Sequence, residues 1–191
     1  MAWEKSFDEL EAVRAARTVF WERGYTATSL AQLLAATGLS KSSLYEAFGS
    51  KRGLFDRAID SYLDEVMEPL LEGLEKMGAG RPQLLAWFGS FATAFRSDTR
   101  LEATRGCFML NTAMELNELD EVAAKKVNQF RLRVREAMFH AVQSIDGDPA
   151  VAALRADVLA AAQIGMMITS RMDPLGAAAF ADTLAADIAA W

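Results

Sequence analysis

Apolar residues recur at three- and four-residue steps along most of the chain, and strand-like alternation appears nowhere. Over 6–23 the stripe is Phe7, Leu10, Val13, Ala16, Val19 and Phe20, and Gly24 follows as a left-handed stop. Thr28 is placed to cap a helix over 29–36 whose inner face is Leu30, Leu33 and Leu34. Gly38 supplies the positive φ of a sharp turn, and Ser40 caps a helix over 41–47. There Leu44, Ala47 and Phe48 point back to the first two helices. Ser50 caps a longer helix running to about 77, with a kink or break expected around Pro69 and Gly73.

"GAGRP" (78–82) reads as a linker. Pro82 fits the first turn of a helix over 82–97, with Leu84, Leu85, Phe88, Phe91 and Phe95 on one side. "SDTRLEATRG" (97–106) reads as a loop. Helices are predicted over 107–118, 120–145, 149–171 and from Asp173-Pro174 to about Trp191. The fold class is therefore all-α, with about nine helices. The expected division is a head over 1–52 and a larger helical part over 53–191.

Composition adds limits. Apolar residues make up 52% of 191 residues, enough for a buried core. One Cys leaves no internal disulfide framework, and a single Cys and a single His are too few for a Cys/His metal cage; no cofactor is expected. No window approaches 20 or so uninterrupted apolar residues, and the charged start "MAWEKSFDELEAVRAAR" lacks a signal-peptide core. The expectation is a cytoplasmic protein without a membrane partner.

The net charge of −6 argues by itself against nucleic acid, but it is unevenly spread. Residues 1–58 carry eight Lys/Arg against seven Asp/Glu, leaving 12 against 19 for the remainder. The acid lies in the larger C-terminal part, so the head can approach a polyanion.

Two short helices joined by a Gly-containing turn make a helix-turn-helix, whose second helix can enter a DNA major groove. Ser40, Lys41, Ser42 and Ser43 are short or flexible at its N-terminal end, where free N–H groups favour phosphate. Tyr45 offers a hydroxyl and a ring, and Lys51 and Arg52 can neutralise backbone phosphates. Lys41 suits a guanine edge and a phosphate equally well. Arg14, Arg17 and Arg23 read as a solvated face.

The stretch "AARTVFWERGYTATSLAQLLAATGLSKSSLYEAFGSKRGLF" resembles the DNA-binding domain of TetR-like transcriptional regulators. The resemblance covers residues 10–56 and includes Ala16, Phe20, Gly24, Thr28, Gly38-Leu39-Ser40, Leu44-Tyr45, Phe48, Ser50-Lys51 and Leu54. It implies phosphate contacts at Thr28, Tyr45 and Lys51, with Lys41, Ser42 and Ser43 at base edges and backbone. Leu34 and Ser42 depart from the family pattern, where alanine and glycine or proline are frequent.

The resemblance further implies a double-stranded DNA operator, a small-molecule effector bound by the C-terminal helices, and a homodimer through the last two helices. Those two helices are rich in alanine, and Val158, Leu159, Ile164, Met166, Met167, Leu184 and Ile188 are available to fill a seam. Phe88, Phe91, Phe95, Cys107, Phe108, Asn111, Phe130 and Met138 are the candidate effector-pocket residues, with Met109, Met114 and Phe139 beside them. Such stripes also serve as plain core. Cys107 follows Arg105-Gly106 at a predicted helix start, where the cation and helix dipole would lower a thiol pKa and suit an electrophile sensor. A buried inert thiol is the competing reading, and for Asn111 and Glu115 it is capping or packing. The function expected is a ligand-responsive DNA-binding regulator and not an enzyme: a repressor released by a small apolar or electrophilic effector. The alternative is a ligand-binding helical protein with a vestigial DNA-binding head.

Overall fold

The computed structural model describes residues 7–99 and 103–191. Among them are helices α1 (Glu9–Arg23), α2 (Leu30–Thr37), α3 (Lys41–Phe48), α4 (Lys51–Tyr62), α5 (Glu68–Glu75), α6 (Arg81–Phe95), α7 (Phe108–Ala113), α8 (Glu121–Asp146), α9 (Pro149–Thr169) and α10 (Pro174–Ala189), and no strand. A π-helical turn, Leu63–Met67, joins α4 to α5 without a break, so the described residues form nine rods. The break expected at Pro69 takes this form. Pro69 lies in the first turn of α5, where its missing N–H costs nothing, and the widened turn just before it absorbs the change of register.

Local chemistry sets the helix ends. The Asp8 side chain accepts the N–H groups of Leu10 and Glu11 at the start of α1. The α2 cap is Ser29, not Thr28: Ser29 and Gln32 form a reciprocal capping box. Thr28 instead turns inward. Ser40 and Ser50 cap α3 and α4 as the sequence predicts. Gly53 is required by packing, because a Cβ there would fall 2.1 Å from the Phe48 carbonyl oxygen. The "SDTRLEATRG" stretch is helical at Ala103–Thr104, and part of it lies outside the described residues. The helix expected over 107–118 stops at Ala113 and continues as a 3-10 turn, Leu116–Glu118.

α1 packs on α2 and α4, α8 on α9 and α5, and α6 most extensively on α10. The join between head and body is aromatic. Phe108 of α7 meets Phe55 and Tyr62 of α4 edge-on at 5.7 Å each, and Trp21 of α1 stacks at 6.4 Å. Arginines brace it. Arg14 and Arg17 bind Glu65, and Arg17 also donates to the Ser61 hydroxyl and carbonyl. The solvated face expected for these two is thus a buttress between α1 and the α4–α5 rod, while Arg23 is exposed. Arg133 of α8 clasps both Glu68 and Glu75 of α5.

Among the described residues one helix, α9, has the length and mean hydropathy (1.5) to cross a membrane, and Arg155 and Asp157 interrupt it. Arg155 pairs with Asp146, and Asp157 pairs with Arg135 of α8. α9 packs along α8, with its inner residues Ala152, Ala156, Leu159, Met166 and Met167 buried.

Candidate nucleic-acid interface and effector cavity

α3 separates cleanly into two faces. Leu44 is fully buried and Phe48 is 9% exposed, whereas Lys41, Ser42, Tyr45 and Glu46 face solvent. Eight residues suffice for this because Leu39, Leu44 and Phe48 anchor both ends to the head core. Ser40 Oγ accepts the Ser43 N–H at 3.1 Å and lies 2.9 and 2.8 Å from the Ser42 and Ser43 hydroxyls. The "SKSS" run therefore forms one hydroxyl cluster over the first turn of α3. Lys41 Nζ lies 6.0 Å from the Tyr45 ring centroid on the same side.

The other expected phosphate contacts divide. Lys51 Nζ sits 4.4 Å over the Tyr25 ring, and partial burial pulls its pKa down against the attraction of Glu115. Thr28 is 1% exposed, and its hydroxyl donates to the Gly24 carbonyl at 2.6 Å, so its side chain has no solvent face. Arg52 is engaged elsewhere: it binds Asp56 at 3.0 Å and Asp120, the N-cap of α8, at 2.8 Å.

The candidate pocket residues also divide. A cavity of about 350 Å3 opens between the α4–α5 rod, α6, α9 and the loop before α7, and Phe91, Phe95 and Cys107 border it. Phe130 borders a smaller apolar cavity of about 240 Å3 with Val134, Met109, Met114 and Ile164. Asn111 borders a third, of about 400 Å3, with Arg23, Glu115 and Arg171. Its amide is fully engaged: Nδ2 donates to the Trp21 and Arg105 carbonyls, and Oδ1 accepts from Arg171. Phe88, Phe108 and Met138 are at most 1% exposed and border none of these cavities, so they are core rather than lining.

Cys107 corrects an expectation. It is 4% exposed, and burial pushes its thiol pKa up, against the Tyr62 hydroxyl that donates to Sγ at 3.5 Å. The cation meant to lower it is engaged by Trp21: the Arg105 guanidinium carbon lies 3.9 Å over that ring, and it is not among the groups that shift the thiol. α7, at six residues, is a short dipole.

With this geometry, comparison with known proteins is decisive. Residues 12–58 match the family described as bacterial regulatory proteins, tetR family. An uncharacterized HTH-type transcriptional regulator of Bacillus subtilis, YezE, is 32% identical over 140 residues, covering 73% of this chain and 71% of YezE. The chain belongs to the TetR family. It is a DNA-binding transcriptional regulator and not an enzyme. The HTH-type transcriptional repressor ComR of Escherichia coli is 37% identical over 116 residues, 59% of this chain and 53% of ComR. Among solved structures, a cysteine mutant of the TetR family transcriptional regulator CifR, complexed with 26-bp double-strand operator DNA, superposes with a TM-score of 0.75. It is 26% identical and covers 99% of this chain and 100% of that one.

In this TetR-family chain the residues that tie the head to the cavity escaped sequence reading. Trp21 Nε1 donates to the Gly106 carbonyl at 3.0 Å, and Trp21, Arg105 and Gln163 all border the 350 Å3 cavity. The available signal was Trp21 itself, a large aromatic with a polar edge next to Phe20 of the α1 stripe. Glu115, read as pocket or cap, is a cap across domains: its carboxylate accepts the N–H groups of Tyr25 and Thr26.

α9 and α10 leave an apolar face open. Leu154, Val158, Ala161, Gly165, Ile168 and Met172 form one exposed stripe, continued by Leu175, Ala179 and Phe180. Of the residues expected to fill a seam with a partner, Leu159, Met166, Met167 and Ile188 point into the protomer's own core instead.

Proposed function

We propose that this regulator is a cytoplasmic repressor that binds a near-palindromic operator as a homodimer and releases it when a small apolar effector enters the C-terminal body. The head, residues 1–52, reads DNA through α3. Lys41 and the Ser42–Ser43 hydroxyls meet base edges and backbone, and Tyr45 and Lys51 meet phosphates. Thr28 serves this surface from beneath, holding the Gly24 carbonyl that ends α1. The body, residues 53–191, pairs with its copy through α9 and α10 and holds the effector in the 350 Å3 cavity.

The observation that carries the reading is the two-faced α3, whose exposed Lys41, Ser42 and Tyr45 stand on a buried Leu44–Phe48 base. ComR, a relative named as a repressor, and CifR, a structural neighbour bound to operator DNA, support it. The stripe on α9 and α10 supports the dimer, since small residues at Ala161 and Gly165 permit close helix approach between large ones. Burial of Cys107 favours a reversible apolar effector over an electrophile. Release is a population shift: the effector prefers the form in which the two heads cannot span both half-sites, and coupling of roughly 1–3 kcal/mol is sufficient.

The test is selection of binding sites from a random duplex pool at several salt concentrations. A palindrome with half-sites about one helical turn, or a multiple, apart and a steep salt dependence is expected. No enriched sequence, with weak and salt-insensitive binding, would favour a ligand-binding protein with a vestigial head.

A further inference from the structure

We propose that the 350 Å3 cavity takes a monoanionic ligand, a carboxylate on an aryl or alkyl body, with Arg105 reading the charge and Gln163 donating to the same headgroup. This rests on the cavity being the effector site, and it narrows the small apolar effector proposed above to an apolar body that carries one carboxylate. The volume is at the lower end of small-molecule sites, which run from about 300 to 1,000 Å3. Val66, Met67, Leu70, Phe91, Phe95 and Met167 supply apolar walls, and no acidic residue lines the cavity among the described residues.

Two polar groups in this lining have donors to offer. Gln163 is 5% exposed, and its Oε1 accepts from Trp87 Nε1 at 3.2 Å. An indole N–H only donates, so this bond fixes which end of the amide faces Trp87. The NH2 end is turned away from it and has no acceptor among the described residues. That end is open to the cavity and free to donate to a ligand there. The second group is Arg105. Its guanidinium carbon lies 3.9 Å over the Trp21 ring, a cation–π contact that uses none of its N–H donors. No carboxylate pairs with it, and its side chain donates no hydrogen bond among the described residues.

A cationic ligand would meet Arg105 with no acid to offset it. A hydrocarbon would leave both donors unmatched. A dianion would lack a second cation among the described lining residues. A planar monoanion with an apolar tail satisfies the set, its two oxygens accepting from guanidinium and amide.

The test uses the full-length protein and isothermal titration with two matched pairs: 3-phenylpropionate against 3-phenylpropan-1-ol, and octanoate against octan-1-ol. Each acid is expected to bind at least tenfold more tightly than its alcohol. The preference should fall to near unity in Arg105→Met, survive in part in Arg105→Lys, and shrink several-fold in Gln163→Leu, with circular dichroism verifying that each variant is folded. Alcohols binding as tightly as acids, no probe binding, or an undiminished preference in folded Arg105→Met would each overturn the proposal. Operator binding separates the two readings. Acid binding that leaves operator affinity unchanged upholds the ligand class and removes the effector role. Operator release by the alcohols alone upholds the effector role and overturns the ligand class.

Discussion

The carboxylate of Glu115 accepts the backbone N–H of Tyr25 at 2.7 Å, with its second oxygen 3.1 Å from the N–H of Thr26. A side chain of the body thereby caps the turn that leads into the helix-turn-helix. Gly24 makes room for it: its φ is +82°, and a Cβ there would fall 2.7 Å from the carboxylate. Charge-assisted bonds of this kind contribute about 1.5–3 kcal/mol each when well shielded, and less at a partly exposed site. Glu115→Ala should therefore cost about 1–2 kcal/mol in urea unfolding. It should also speed hydrogen exchange at the Tyr25 and Thr26 amides while the α9 core stays protected. Unchanged exchange at those two amides would show that the cap does not hold the turn.

The DNA face gives a prediction in salt dependence. Lys51→Ala should weaken operator binding and flatten the slope of log K against log salt by about 0.9, the signature of one lost phosphate contact. Lys41→Ala discriminates between its two roles. Loss of a guanine preference at one operator position, about 1–3 kcal/mol, marks base reading, and uniform loss across sequences marks a phosphate contact.

The open stripe on α9 and α10 makes oligomeric state sensitive to one charge. Val158, 57% exposed at the middle of the stripe, should yield monomers when changed to Asp, with the protomer fold retained. Sedimentation velocity reads the mass directly. A Val158→Asp variant that remains dimeric would place the interface elsewhere.

Burial of Cys107 and Tyr62 sets an alkaline limit. Burial raises both pKa values, so each group stays neutral in the folded chain where the unfolded chain would ionise. The stabilisation is complete below the unfolded thiol value, about 8.5, and is lost as pH rises through the folded values. Unfolding free energy should decline above that pH, and Cys107→Ala should remove the thiol's share of the decline. At neutral pH, iodoacetamide should modify the native thiol far more slowly than the urea-unfolded one. Equal rates would contradict the burial.

The parts legible in sequence are those decided within about one turn of chain. The stripe of α1 apart from Leu10, which is 49% exposed, the caps at Ser40 and Ser50, the Gly24 and Gly38 stops and the inner Leu44–Phe48 face of α3 each depend on neighbours three or four residues away. Even there, Thr28 and Ser29 offered equivalent capping hydroxyls, and packing chose: Thr28 was drawn inward to Gly24, leaving Ser29 to cap.

What only the tertiary structure decided is how polar side chains are engaged at long sequence separation. Arg17 reaches Glu65, Arg52 reaches Asp120, Glu115 reaches Tyr25, and Arg105 lies on Trp21 instead of beside Cys107. Periodicity carries no information about such pairings, because a charged residue on an exposed stripe has the same local pattern whether it meets solvent, DNA or a carboxylate on another helix. The sequence by itself determined most of the helices, many of their ends and the helix-turn-helix. The packing of α1 and α4 against α7 and α9 decided which arginines brace the fold, that the thiol is buried and neutral, and that Arg105 and Gln163 border one cavity.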